Sequence, residues 1–394
     1  MALVEKREAW RVYEGHYSLQ EMTVHVRVLG DRLTVAFPGV PPGFEVILLP
    51  QEALHRFTMQ GGPTNGAVCT FVINEAGEAV KLSVGEDYEL TRSGPHAEPA
   101  FPTGQGLRAP ELVLTPEKMA VFQTVLDEMM VNQDGRFLDY TLPYPKHEIL
   151  QYLAMQDQFI FHGSNKSDID LFSTKRTSME INDRAGRGNL QAVYGTHDGL
   201  WPMFFAIIDR SNLTGSIRNG VNYFQNDQGA EIAIYHFSIN RELLAKRPYR
   251  PGTLYILPRD TFRRLPMSDG IMSNEWASEV PVKPIARLAL QPEDFPFLAQ
   301  IGGHDDSALV RAQALSDRLI AAVNKIEREP DRIHMQLDWS TELGSVILEY
   351  IDMQRRFMPT AVLTLKFEPE TVWLTIEGPP AYLQVLQNRT TSPT

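Results

Sequence analysis

Through residues 1–92, apolar and polar positions alternate in short runs. In Met22-Thr-Val-His-Val-Arg-Val28, the valines Val24, Val26 and Val28 fall on one face and His25 and Arg27 on the other. That is the period-two signature of a half-buried strand. Gly30 and Asp31 turn the chain into a second run over 32–37, and further strands are predicted over 44–49, 55–59, 67–73 and 79–83. The breaks hold Pro41, Pro42, Gly43, Gly61, Gly62, Pro63 and Gly77, residues that turn a chain instead of continuing a ladder. Short strands at this spacing predict an all-β barrel or sandwich.

Residues 93–114 are rich in Pro and Gly and predict a linker. The period then becomes helical. Thr115 is an N-cap candidate with Pro116 at the first helical position, and Met119, Phe122, Val125, Leu126 and Met129 make an apolar stripe that ends at Asp134 and Gly135. A second helix is predicted over 147–155. From 159 to 298 strands dominate, over 159–161, 192–194, 231–238, 252–257 and 285–290. A helix over 201–209 interrupts them, with Phe204, Phe205 and Ile208 on one face. Leu309, Ala312, Leu315, Leu319, Val323 and Ile326 then predict a long helix over 305–328, stopped by Glu329 and Pro330. A helix over 341–355 and strands over 361–367 and 372–377 complete the tail, and no repeat of fixed period is evident. The chain thus reads as α+β, with an all-β domain over 1–92, a linker over 93–114, a mixed domain over 115–300 and a C-terminal α/β region of helices and strands over 301–394.

The 394 residues suffice for two or three domains, and 43% hydrophobic content is ordinary for a folded protein. A formal net charge of −12 disfavours binding to long duplex nucleic acid. The nearest basic stretches, 246–250 and 259–264, are short and interrupted; they read as solvated faces or as help for a pyrophosphate. No apolar run reaches about eighteen residues and residues 1–8 lack an apolar core of signal-peptide length, so the expectation is a cytoplasmic protein outside the membrane. Cys69 is the only cysteine. It excludes an internal disulfide and a thiolate zinc site, and no disulfide-linked partner is expected.

Candidate chemistry centres on two short strands that deliver polar groups at their ends. Phe159-Ile-Phe-His-Gly-Ser164 ends in His162, Gly163 and Ser164, and Ala192-Val-Tyr-Gly195 delivers Tyr194 and Gly195 just ahead of the predicted helix at 201. A glycine lets its own N–H and C=O approach a ligand closely, a tyrosine can stack on a flat ring, and a histidine can bond a hydroxyl. The pairing resembles the nicotinamide clamp of the ADP-ribosyltransferase superfamily, in its poly(ADP-ribose)-polymerase-like, His-Tyr-Glu branch, over roughly residues 155–295. That resemblance implies a split β-sheet domain, NAD as substrate, and transfer of ADP-ribose to a protein side chain, a nucleic-acid end or water. It also implies that His162, Gly163, Ser164, Tyr194 and Gly195 hold the cofactor, with His162, Tyr194 and a glutamate in the catalytic set. The glutamate would stand at the start of a later strand. Glu279, just before Val280, fits first, then Glu275, then Glu231. A domain that binds NAD or ADP-ribose, or a protein, without catalysis is the alternative.

Each residue also has a structural reading: His162 as a bonded strand-end histidine, Tyr194 as a core aromatic, Ser164 as a cap of 165–170, and Glu279 as a solvated carboxylate. His197 and Asp198 read as an acid/base pair or as a turn with Gly199. His236 reads as structural, the acids at 305–306 as helix caps, residues 184–188 as a loop that contacts phosphate or moves, and residues 211–220 as a surface loop or a lid. The N-terminal segment, through Tyr13-Glu-Gly-His-Tyr17, Gly30-Asp-Arg-Leu33, Leu48-Leu-Pro50 and Phe71 to Gly77, is similar to the β-barrel-like domain appended to some penicillin-binding-protein-like serine hydrolases. No Ser-x-x-Lys nucleophile motif accompanies it, so the implied role is structural or binding.

Overall fold

The computed structural model describes residues 9–19, 22–85, 88–93, 106–174, 190–209, 216–268, 271–329, 331–357, 361–369, 371–378 and 383. The chain divides into two compact units, Met1–Ser178 with Leu190–His304, and Met179–Asn189 with Asp305–Thr394.

The first unit begins with β1 (Gly15–Leu19), β2 (Met22–Leu29), β3 (Arg32–Ala36), β4 (Val46–Pro50), β5 (Arg56–Gln60), β6 (Val68–Ile73), β7 (Ala79–Val84) and β8 (Tyr88–Ser93). Each pairs antiparallel with the next, and β8 returns to pair with β1, so the eight strands form a closed barrel, not a sandwich. Closure removes both sheet edges. Val24, Val26, Leu33, Val35, Leu48, Phe57, Phe71 and Leu82 fill the interior, as the period-two pattern requires. Cys69 is buried there, and burial pushes its thiol pKa up to about 12. β1 and β8 close the barrel without having been predicted.

After the barrel, β9 (Leu107–Arg108) pairs antiparallel with Ile234 and Tyr235, so the predicted linker ends inside the fold. Thr115 caps α1 (Pro116–Asn132), its side chain accepting from Lys118 N at 3.2 Å. Phe122, Leu126 and Met129 are its buried stripe, while Met119 stays exposed. α2 (Lys146–Ala154) follows. The remaining elements of the unit are β10 (Phe159–Ser164), β11 (Val193–Gly195), α3 (Trp201–Ile207), β12 (Ile217–Gln225), β13 (Glu231–Asn240), α4 (Arg241–Ala245), β14 (Gly252–Pro258), β15 (Arg263–Ser268), β16 (Ile271–Ser278), β17 (Ala286–Leu290) and β18 (Gly302–His304). They build three small sheets, ordered β10-β14-β17, β11-β16-β15 and β12-β13-β18. Part of the segment expected to be a loop or lid over 211–220 is therefore strand, from Ile217 onward; 211–215 lie outside the described residues.

The hairpin β12–β13 serves two cores. Phe224 and Ile234 pack into the barrel core, whereas Val221, Tyr235 and Phe237 pack into the central one. Gly62 sits against the Phe224 ring, where an added Cβ would lie 3.2 Å from it.

The second unit holds α5 (Ser307–Ala321), β19 (Val323–Glu329), β20 (Arg332–Asp338), α6 (Thr341–Phe357), β21 (Val362–Phe367) and β22 (Thr371–Glu377). The helix expected to run to 328 stops at Ala321. Val323 and Ile326, counted as helical, are β-branched residues of a strand. The sheet runs β19-β20-β22-β21 and is antiparallel throughout. Its topology is a helix and a hairpin, twice over. Leu315 and Leu319 of α5 and Val346, Ile347 and Tyr350 of α6 pack with Ile333, Met335, Leu337, Val372, Leu374 and Ile376 of the sheet.

Among the described residues no helix is long and apolar enough to cross a membrane, and no group of three or more His, Cys, Asp or Glu is placed to hold a metal.

Candidate functional site

β10 begins buried and ends polar: Phe159, Ile160 and Phe161 are in the core, and His162, Gly163 and Ser164 are half-buried. One edge of β10 pairs with β14. On the other edge a single bridge joins Phe161 to Thr196, which exchange both backbone hydrogen bonds at 2.7 and 3.1 Å. A residue in such a pair turns its N–H and C=O toward the partner strand, and residues two along the chain turn theirs the same way. Gly163 therefore presents both its peptide groups on the side of β11. Continued register would bring Gly163 opposite Tyr194. No ladder forms there. Instead the His162 imidazole donates from Nδ1 to the carbonyl of Tyr194 at 2.7 Å, since a carbonyl can only accept.

A small, half-open pocket of about 50 Å³ opens at this parting of the strands. His162 and Gly163 line it from β10, and Tyr194 and Gly195 from β11. Trp201, Pro202 and Phe205 line it from α3, and Glu275 from β16. Tyr194 pairs with Ala277, so in a strand of period two Glu275 lies on the face that carries Tyr194. The Tyr194 ring is buried and fixed at its far end: its hydroxyl accepts from Leu190 N at 2.8 Å and donates to Leu190 O. His162 meets the edge of Phe172 with ring centroids 4.9 Å apart.

Gly163 is a glycine for a packing reason as well. A Cβ there would stand 1.9 Å from the carbonyl oxygen of Pro202, and one at Gly252 would stand 1.8 Å from that of Ala206. The backbone of α3 lies directly on both glycines. Asn165 Nδ2 donates to Ala206 O at 2.7 Å and binds the other end of the same helix.

Asp198 caps the start of α3. Its Oδ1 accepts from Leu200 N at 2.9 Å and Trp201 N at 2.6 Å. Its Oδ2 accepts from Tyr223 at 3.1 Å and Tyr235 at 2.6 Å. Burial and the adjacent carboxylate raise both tyrosine pKa values well above 10. This carboxylate is buried and satisfied, which favours the turn-and-cap reading over an acid/base pair. His197 faces away from such a role too. It accepts at Nδ1 from Trp276 Nε1 at 3.1 Å, and burial lowers its pKa. Trp201 is held by its Nε1, which donates to Asn219 Oδ1 at 2.6 Å.

Two expected ligands lie outside the pocket lining. Ser164 Oγ accepts from Lys166 N at 3.2 Å, a local turn contact. Glu279 is 56% exposed and ion-paired with Arg263 at 2.6 Å. The expectation that Glu279 opens a strand is corrected: β16 ends at Ser278, just before it. Pro281 and Pro284 follow and cannot donate to a ladder, so the strand lies before the acidic residue. Glu275 is inside β16 and half-buried. Glu231 is exposed at the outer end of β13. The loop over 184–188 lies outside the described residues. Trp201, Pro202 and Phe205 were read only as helix residues, because their place at the pocket depends on α3 lying across Gly163. Comparison with protein-family models and with curated proteins finds no match for this chain.

Proposed function

We propose that the central domain binds NAD and breaks its nicotinamide–ribose bond, passing ADP-ribose to an acceptor, as an ADP-ribosyltransferase of the His-Tyr-Glu kind does. What carries this reading is the Gly163 peptide edge, turned toward a pocket whose opposite wall is Tyr194 and whose lining includes Glu275. A carboxamide has one acceptor and one donor group, and so has a peptide edge; the two match in a paired hydrogen bond. Tyr194 would stack on the nicotinamide. His162, its ring oriented by the Tyr194 carbonyl, would bond a ribose hydroxyl.

The bond between the ring nitrogen and the ribose carbon breaks with its electron pair leaving on nicotinamide, which becomes neutral. Positive charge passes to the ribose as an oxocarbenium-like centre. A carboxylate near that centre favours it over the ground state, and Glu275 takes this role in preference to Glu279. The nucleophile attacks the same carbon and loses its proton. Protein side chains, nucleic-acid ends and water all suit this chemistry as acceptors. The reading includes a cytoplasmic setting, where a lone buried thiol is ordinary.

The test is nicotinamide release from NAD by the purified chain, beside Glu275→Gln and Glu279→Gln. Release is expected from wild type and Glu279→Gln, with a loss of about a hundredfold or more in Glu275→Gln. An NAD-induced rise in melting temperature without release would point to a binding module. Neither release nor a thermal shift would overturn the assignment.

A further inference from the structure

The two halves of the second unit meet through β20 and β22, which pair antiparallel from Arg332↔Glu377 to Asp338↔Thr371. This leaves β19 and β21 as the two equivalent edges of the sheet among the described residues. The edges differ in composition. β19 reads Val323-Asn-Lys-Ile-Glu-Arg-Glu329 and carries Lys325, Glu327, Arg328 and Glu329. A charged edge resists pairing with another strand. β21 reads Val362-Leu-Thr-Leu-Lys-Phe367, with one charge. That charge is answered locally, since Lys366 Nζ lies 3.0 Å from Glu368 Oε1. Val362 is 56% and Phe367 59% exposed, and Phe367 stands edge-on to the exposed Trp339 with centroids 5.0 Å apart. An edge of this kind, apolar and near neutral, is a pairing surface.

We propose that β21 is the strand through which two copies of this chain associate, edge to edge and antiparallel, in the register centred on Leu365. A twofold axis normal to the sheet keeps the helices of both copies on one side, so residues of like face must oppose each other. Leu363 and Leu365 pack toward the helices, and Phe367 shares their parity. The centred register sets Leu365 against its own copy and Leu363 against Phe367, extending the apolar core across the seam. On the other face it sets Thr364 against Lys366 and avoids like charges. The neutral edge is what favours a second copy: its lone cation finds no cation opposite. With strands of six residues, the contact falls below a standard interface of about 1,600 Å², so a dissociation constant of roughly 10–100 µM is expected.

The test is sedimentation velocity of the full chain over about 1–200 µM, with Thr364→Glu, Thr364→Lys and Phe367→Glu alongside. All three changes fall on exposed side chains, and circular dichroism checks that each variant keeps the fold. Wild type should pass from monomer to dimer with concentration. Thr364→Glu should tighten the dimer and Thr364→Lys weaken it, each by about three- to tenfold, since each is met twice by Lys366 across the axis. Phe367→Glu should weaken it further. A monomer at every concentration, a dimer indifferent to all three changes, or open-ended growth would overturn the proposal. Weakening by both Thr364 variants would overturn the register.

Discussion

The barrel and the β10–β11 junction use the same material to opposite ends. In the barrel every strand has a partner on both sides, and β8 returns to β1 to leave no edge. At the junction, β10 and β11 make one bridge, Phe161 to Thr196, and part. The barrel's inward residues are apolar and fill its centre. The residues beyond the bridge are His162, Gly163 and, across the gap, Tyr194. A completed ladder consumes its backbone groups and offers nothing to a ligand. An interrupted one keeps a peptide edge available, provided that something else holds the strands apart. Here α3 lying on Gly163 and Gly252, and Asp198 tying α3 to β12–β13, do that holding.

The largest expected effect sharpens this contrast between glycines. Gly163→Ala drives a methyl into the Pro202 carbonyl, 1.9 Å from where the Cβ must stand, and α3 has to move. A cost of about 3 kcal/mol or more is expected in urea unfolding. Gly30→Ala in the barrel hairpin meets nothing within 4 Å, and only its φ of +59° is unfavourable. It should cost about 1 kcal/mol. Equal costs would mean that α3 does not press on β10.

Next in size is the carboxylate that fixes α3. Asp198→Asn keeps one oxygen for the two backbone donors but offers an amide to Tyr223 and Tyr235, which lose a buried acceptor. A loss of about 2–4 kcal/mol is expected. At the barrel, the Glu14 carboxylate accepts from Val28 N at 2.9 Å, so Glu14→Gln, which keeps an acceptor oxygen, should cost about 1 kcal/mol or less. A tolerant Asp198 would remove the hairpin's claim to position the pocket.

How much of this could be read in advance follows from what periodicity detects. The strands β2, β3, β6 and β13 alternate Val, Ile, Phe or Leu with polar residues and were legible, as was α1 from Thr115, Pro116 and its stripe. β1 and β8 were not, because Gly15-His-Tyr-Ser-Leu19 buries only Tyr17 and Tyr88-Glu-Leu-Thr-Arg-Ser93 buries only Leu90. β16 was hidden for the same reason. Ser273, Ala277 and Ser278 are buried in it, and small or polar side chains give no apolar rhythm. With β16 unseen, Glu279, just before Val280, ranks ahead of Glu275 as the glutamate that opens a strand. His162, Gly163, Tyr194 and Gly195 could be picked out because each ends an apolar run. The tie from Asp198 to Tyr223 and Tyr235 spans up to 37 positions, and no local pattern announces it.

The smallest expected effect is on acid stability, and it again sets the pocket region against the barrel. Burial lowers the pKa of His197 beside the pocket from its ordinary 6.5, and burial followed by its neighbours His16 and Arg27 lowers that of His25 in the barrel. In each case the unfolded chain takes up a proton near pH 6.5 that the folded chain refuses until lower pH. The sign follows: stability is highest above that value and declines as pH falls from about 7 toward about 5, until the folded-state pKa is passed. His197 has more to lose, because a proton on Nδ1 also displaces the Trp276 N–H that this atom accepts. His25 loses only the favourable stacking on His16, at 4.3 Å between ring centroids. Melting temperature measured across this range should therefore fall on acidification, and His197→Gln should flatten the decline more than His25→Gln. A decline that both variants leave unchanged would locate the acid sensitivity elsewhere. One flattened more by His25→Gln would make the closed barrel, and not the parted strands, the part of the fold most exposed to protons.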